Sequence, residues 1–161
     1  MQEAIAEAEQ SGNIYFSSRF NATGHVMWID LLKEAAREYD EHWLAFQLDE
    51  KQMMTDFEGA RTLRGGYRVK YVPQSAAEIM AEGQFNRFYI LGLCRHARKE
   101  GIISLVVYRA KPVANPRSES ERLIGTSLSV DDIESQLKVT ANSFKSNLVK
   151  PNSGLSVKLP S

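Results

Sequence analysis

The 161-residue chain has a single cysteine, Cys94, so no internal disulfide can form and the fold must hold by packing. No apolar run reaches the roughly 18 residues a membrane-spanning helix needs, so none is expected. The N-terminal MQEAIAEAEQ lacks the basic start and apolar segment of a secretory signal, and with the lone cysteine this leads to the expectation of synthesis in the cytosol. His25, His42 and His96 show no metal-ligand spacing, and Cys94 and His96, two apart on a predicted helix, point to different sides. G-x-S-x-G, the P-loop and G-x-G-x-x-G are all missing, and Arg64-Gly65-Gly66-Tyr67 lacks the lysine and helix of a phosphate cradle. No metal, cofactor or small-molecule substrate is therefore expected, and an enzyme is not the favoured reading.

Net charge is absent as a total, yet charge is sharply divided along the chain. Residues 1–60 carry four basic and twelve acidic side chains, a net of −8; residues 61–117 carry eleven basic and three acidic, a net of +8. The remaining residues balance at five each. Such a chain neutralises itself either within one fold or across a contact between copies, and the first is the commoner arrangement.

What is present is the material of an ordinary small domain, 43% hydrophobic and 25% charged. Its centre is Gln84–Lys111. Phe85, Phe88, Tyr89, Leu93 and Ala97 recur at helical steps, with Ile90, Leu91 and Cys94 widening the apolar face. Arg95, His96, Arg98 and Lys99 suit the negative end of that helix, Gly101 stops it, and Ile102–Tyr108 reads as a strand covered on both faces. Upstream, Trp28, Leu31, Leu32, Ala35 and Tyr39 share a helical face, and Asp40 caps a second helix through Trp43 and Leu48.

Alternation around Gly65-Gly66 predicts a hairpin, with Tyr67, Val69 and Tyr71 turned inward and Arg68 and Lys70 outward. Ser75 caps a short helix that Gly83 separates from the central one; Pro112–Gly125 is loop-like, and Ser129 caps Val130–Leu137. The fold class is α+β: a small single domain with N-terminal helices, a short β-sheet packed on a central helix, and an extended C-terminal tail. Residues 1–138 form the domain, with 1–13 as a flexible or docking arm, and 139–161 form the tail, ending in the alternating Leu155, Val157 and Leu159.

Two chemistries are worth weighing. Glu119-Ser120-Glu121 resembles the paired glutamates of ADP-ribosyltransferases, but that family's strand-borne arginine and Ser-Thr-Ser strand are missing, and a solvated loop is the favoured reading. Arg87, Arg95 and Arg98 fall within roughly 80° of one another at 100° per residue, a basic stripe that could hold nucleic acid.

Gly83-Gln84-Phe85-Asn86-Arg87-Phe88-Tyr89, Gly92-Leu93-Cys94-Arg95, Leu105–Lys111 (LVVYRAK), Asn115–Glu121 (NPRSESE), Ile124-Gly125 and the closing Pro151–Leu159 (PNSGLSVKL) resemble a set of uncharacterised proteins of proteobacterial genomes, their phages and prophages. The resemblance spans roughly Val72 to Leu159 and implies no activity or catalytic residue. It favours a bacteriophage virion structural or assembly protein, such as a head-tail connector or capsid-associated component, located in the virion. Its partners would be other copies of itself and other virion proteins. The alternative is a small intracellular phage effector of antidefence type, with nucleic acid or a nucleoprotein complex as its partner. The residues expected to meet a partner are Arg87, Arg95, Arg98, Arg109, Lys111 and Arg117, with Asn152, Leu155, Val157 and Leu159 of the tail adding a strand to a neighbour's sheet.

Overall fold

The computed structural model describes residues 1–143 and 145–160. In chain order its elements are α1 (Gln2–Gln10), α2 (Ala22–Glu38), α3 (Glu41–Glu50), β1 (Phe57–Arg61), β2 (Tyr67–Tyr71), α4 (Ala76–Lys99), β3 (Ser104–Arg109), α5 (Ser118–Leu123), β4 (Ser127–Ser129), α6 (Val130–Leu137) and β5 (Leu155–Lys158). The α+β class is as the sequence implies. The chain falls into two compact units, Met1–Tyr15 with Gly83–Ser161, and Phe16–Glu82.

In the first unit, Ile90, Cys94 and Ala97 of α4 stand at four- and three-residue steps and pack on Leu105 and Val107 of β3 and Leu155 and Val157 of β5. Val130, Ile133 and Leu137 of α6, with Leu148 and Val149, complete this core. The sheet runs β4-β3-β5, antiparallel throughout, with Val107 opposite Val157 and Leu105 opposite Leu128. Ser129 caps α6 as expected, its side chain accepting from the Asp132 N–H. Helix α1 belongs to this unit and buries Ala4, Ile5 and Ala8. Its start lies so close to Gly92 that a Cβ there would come within 2.5 Å of the Met1 nitrogen.

The second unit is built on α2 and α3, which pack together and bury Trp28, Leu31, Leu32, Ala35, Leu44 and Leu48. Asn21 caps α2 by accepting from the Gly24 N–H, and Asp40 caps α3 by accepting from the Trp43 N–H. Strands β1 and β2 form the expected antiparallel hairpin, from Phe57 opposite Tyr71 to Arg61 opposite Tyr67. At its turn the Thr62 hydroxyl accepts from the Gly66 N–H, and Gly65 takes a left-handed φ of +80°.

Several expectations are corrected. Gly83 does not break a helix: α4 is continuous over 24 residues, a glycine within a long helix costing only about 1 kcal/mol. Residues 1–13 are not a loose arm, because the apolar face of α1 is buried. The segment after residue 138 is not an extended tail; Leu148, Val149, Leu155 and Val157 are core residues, and the expected boundary at 138 falls inside one packed unit. Strand β3 is covered on one face, where Leu105 and Val107 are buried while Ile103, just before it, is exposed. On α4 the inward face takes Gln84 and Arg87 in place of Tyr89, which is exposed. Pro112–Gly125 contains the short helix α5.

Candidate functional site

The three arginines of the predicted stripe share helix α4 but leave no free cationic surface. Arg87 is 1% exposed and directs its guanidinium at three acceptors: the Leu137 carbonyl (Nε, 2.9 Å), the Asn13 carbonyl (Nη2, 3.0 Å) and Gln84 Oε1 (Nη1, 3.4 Å). One side chain thus joins α1's exit, α4 and the end of α6. Burial lowers its pKa to about 10, which still leaves it charged at neutral pH. Arg95 pairs with Glu7 and Glu3 of α1. Arg98 pairs with Asp131 and Glu134 of α6, both at 2.5 Å, and these bonds raise its pKa. Lys99 reaches Glu3 at 3.5 Å, and together with Arg95 it lowers the Glu3 carboxyl. In this unit the divided charge neutralises itself within the fold, acidic α1 having folded back onto basic α4.

The loop and tail residues are likewise turned inward. Arg109 donates to the Ser153 carbonyl at 3.1 Å and pairs with Glu121; Arg117 donates to the Pro151 carbonyl at 2.7 Å; Lys150 pairs with Glu119 at 3.3 Å. Asn86 holds β5 from the other side, donating to the Leu155 carbonyl and accepting from the Ser156 hydroxyl, both at 2.8 Å. A Cβ on Gly154 would collide with the Lys111 carbonyl oxygen, an approach only glycine permits. Segments 115–121 and 150–155, far apart in sequence, therefore meet and latch. Leu155 and Val157 are buried and Leu159 packs on the same core, which corrects their assignment to a partner's sheet edge; Asn152 and Lys111 are exposed. Glu119 and Glu121, two apart on α5, serve different cations and form no convergent pair.

A cleft of about 320 Å³ is lined by Glu7, Asn13, Arg87, Arg95, Glu134 and Lys138, among others. Its charged walls are largely tied to one another through the pairs just described. Cys94 is buried, and its thiol is pushed up to about 12 by burial first and by Glu134 second, so it is no nucleophile at neutral pH. Among the described residues no three His, Cys, Asp or Glu side chains converge on a metal position.

An open aromatic surface remains on the β1–β2 hairpin. Tyr67, Val69 and Tyr71 are 73%, 74% and 75% exposed, with Phe57 opposite Tyr71 on the same face. The expectation that this face is inward is overturned: every residue of β2 is open to water. The Phe57 and Tyr71 rings lie 4.7 Å apart, and Arg61 sits over the Tyr67 ring while donating to its hydroxyl at 3.1 Å. The opposite face is anchored by Glu58, which accepts from Arg19 at 2.6 and 3.1 Å and pairs with Lys70 at 2.9 Å. Those bonds from Arg19 and Lys70 lower the Glu58 carboxyl to about 2. Leu63 and Arg64 stand exposed at the turn, and Arg68 is exposed on β2. Sequence reading placed the hairpin but not its openness. The available signal was the segment's composition: residues 57–71 hold three aromatic rings, four cations and one acid, too little apolar material on the second strand face to be buried twice over.

Comparison with protein-family models, with curated proteins and with solved structures finds no match to this chain.

Proposed function

We propose that this protein is a bacteriophage virion structural or assembly component that works through subunit contacts, and that the β1–β2 hairpin is its contact surface. The observation that carries the reading is the hairpin's outer face, where Phe57, Tyr67, Val69 and Tyr71 lie open to solvent on a two-stranded sheet. Contiguous exposed apolar surface of this kind marks interaction sites, and tyrosine and arginine are the residues that dominate protein contacts. The phage assignment rests on the resemblance of the 83–159 motifs. Those motifs supply the scaffold: Asn86 and Arg87 fasten β5, the α1 exit and α6, while Arg117 and Glu119 fasten the 150–155 turn.

The effector reading, with nucleic acid as partner, is supported less. Its stripe of Arg87, Arg95 and Arg98 is engaged internally. Two of the hairpin's cations, Arg68 and Lys70, also lie on the face opposite Tyr67, Val69 and Tyr71, whereas a base-stacking platform sets phosphate-binding cations alongside the rings. Particles banded from a lysate of a host carrying the gene should contain the chain at fixed stoichiometry by mass spectrometry. Its absence from such particles defeats the virion reading.

A further inference from the structure

Two sets of charged side chains in the 16–82 unit have no ion-pair partner among the described residues. Arg61, on the ring face opposite Tyr67, and Arg64, at the turn, meet no carboxylate. Asp49 and Glu50, at the end of α3, and Glu78, in the first turn of α4, meet no cation. Asp49's carboxyl is raised by partial burial and by Glu78, the behaviour of an acidic cluster lacking a counter-charge. Beside that cluster Phe46 is 59% exposed, one helical turn from Asp49 and Glu50 on the same side of α3. One surface thus offers apolar rings with unpaired cations, and the other an exposed ring with unpaired anions.

We propose that the hairpin of one copy docks on the Phe46–Asp49–Glu50 surface of a second copy, with Arg61 of the ring face and Arg64 of the turn meeting the acids and Tyr67, Val69 and Tyr71 covering Phe46. The assignment rests on the subunit-contact reading above and names the partner. Charge complementarity decides between occupants: an unrelated acidic protein would satisfy the hairpin and leave the α3 surface unpaired, whereas a second copy satisfies both. Because the two patches differ, the contact is head-to-tail. Repeated, it builds a ring if the rotation closes and a filament if it does not. The contact is electrostatically assisted, and salt weakens it over a Debye length of about 8 Å at physiological ionic strength.

Sedimentation velocity on the purified full chain, across concentration and at low and high salt, tests this directly. Wild type should associate at low salt and shift towards monomer at high salt. Arg61→Glu with Arg64→Glu, or Asp49→Lys with Glu50→Lys, should each weaken association at least about tenfold. The chain carrying all four substitutions should regain it, since the charges are exchanged rather than removed. Circular dichroism on each variant checks that the substituted surface side chains have left the fold intact, and the four-fold variant's recovery excludes misfolding as the cause of the losses. A monomeric wild type, paired reversals without effect, or a four-fold variant that stays monomeric each overturns the proposal. A monomeric chain that is nonetheless stoichiometric in particles would overturn the self-contact while leaving the virion reading standing.

Discussion

Two parts of this chain combine arginine with aromatic rings, and they meet opposite fates. On α4, Arg87, Arg95 and Arg98 stand among Phe85, Phe88 and Tyr89, and each guanidinium has partners inside the fold: backbone carbonyls and Gln84 for Arg87, α1 acids for Arg95, α6 acids for Arg98. On the hairpin, Arg64 and Arg68 stand among Tyr67 and Tyr71 with water around them. Composition scores the two segments alike. What separates them is whether a distant part of the sequence supplies acids or carbonyls that fold back, which makes a basic stripe a functional surface only where that supply fails.

Removing part of the 83–161 scaffold sharpens that contrast most. Deleting residues 152–161 takes out β5, with buried Leu155 and Val157, and strips β3 of one of its two neighbours. At about 1.5–3 kcal/mol for each buried side chain, the two alone approach half of a typical domain's stability of about 5–15 kcal/mol. The truncated chain should lose the cooperative urea transition of this unit, seen in far-UV circular dichroism. A truncated chain with a wild-type transition would mean that the segment is after all an independent tail.

Arg87→Ala comes next. It leaves the Leu137 and Asn13 carbonyls without their donor and opens a void where a large side chain was fully buried. A loss of about 3–5 kcal/mol is expected in urea unfolding, and Arg87→Lys should recover only part of it, because an ammonium cannot point at three divergent acceptors. The same replacement at Arg68, on the hairpin, should change stability by less than about 0.5 kcal/mol.

How much of this was legible beforehand follows from the same residues. Elements governed by local signals came through: the caps at Asp40 and Ser129, the Gly65-Gly66 hairpin and the helical period of Trp28, Leu31 and Ala35. What depended on remote pairing did not. Arg87 reads as a solvated cation on its own helix; only Asn13 and Leu137, 74 and 50 residues away, make it a core residue. Leu155 and Val157 read as a free alternating strand because nothing local reveals that β3 has an open edge to receive them. Gly83 departs from its local signal for a related reason, since a local breaker yields to the packing on either side of it. The candidate surface itself was half visible: its cations and rings were counted, but the acids of α1 that disqualified the competing stripe lay some 90 residues upstream.

A smaller effect, confined to the hairpin, follows from Glu58. Its carboxyl sits at about 2 when folded, against the usual 4.5, because Arg19 and Lys70 bond to its charged form. A carboxyl depressed on folding contributes stability that is fully present above its unfolded pKa and disappears as pH falls through the folded value. The contribution should therefore be intact above pH 5 and fade between about 4.5 and 2. Amide exchange across residues 57–71 reads it locally: protection relative to the α2–α3 helices should drop over that window in wild type. In Glu58→Gln it should be low already at neutral pH and flat with acid. Equal pH dependence in both proteins would show that the Arg19–Glu58–Lys70 cluster does not hold the hairpin's inner face, and that its open aromatic face is presented by the strand pairing alone.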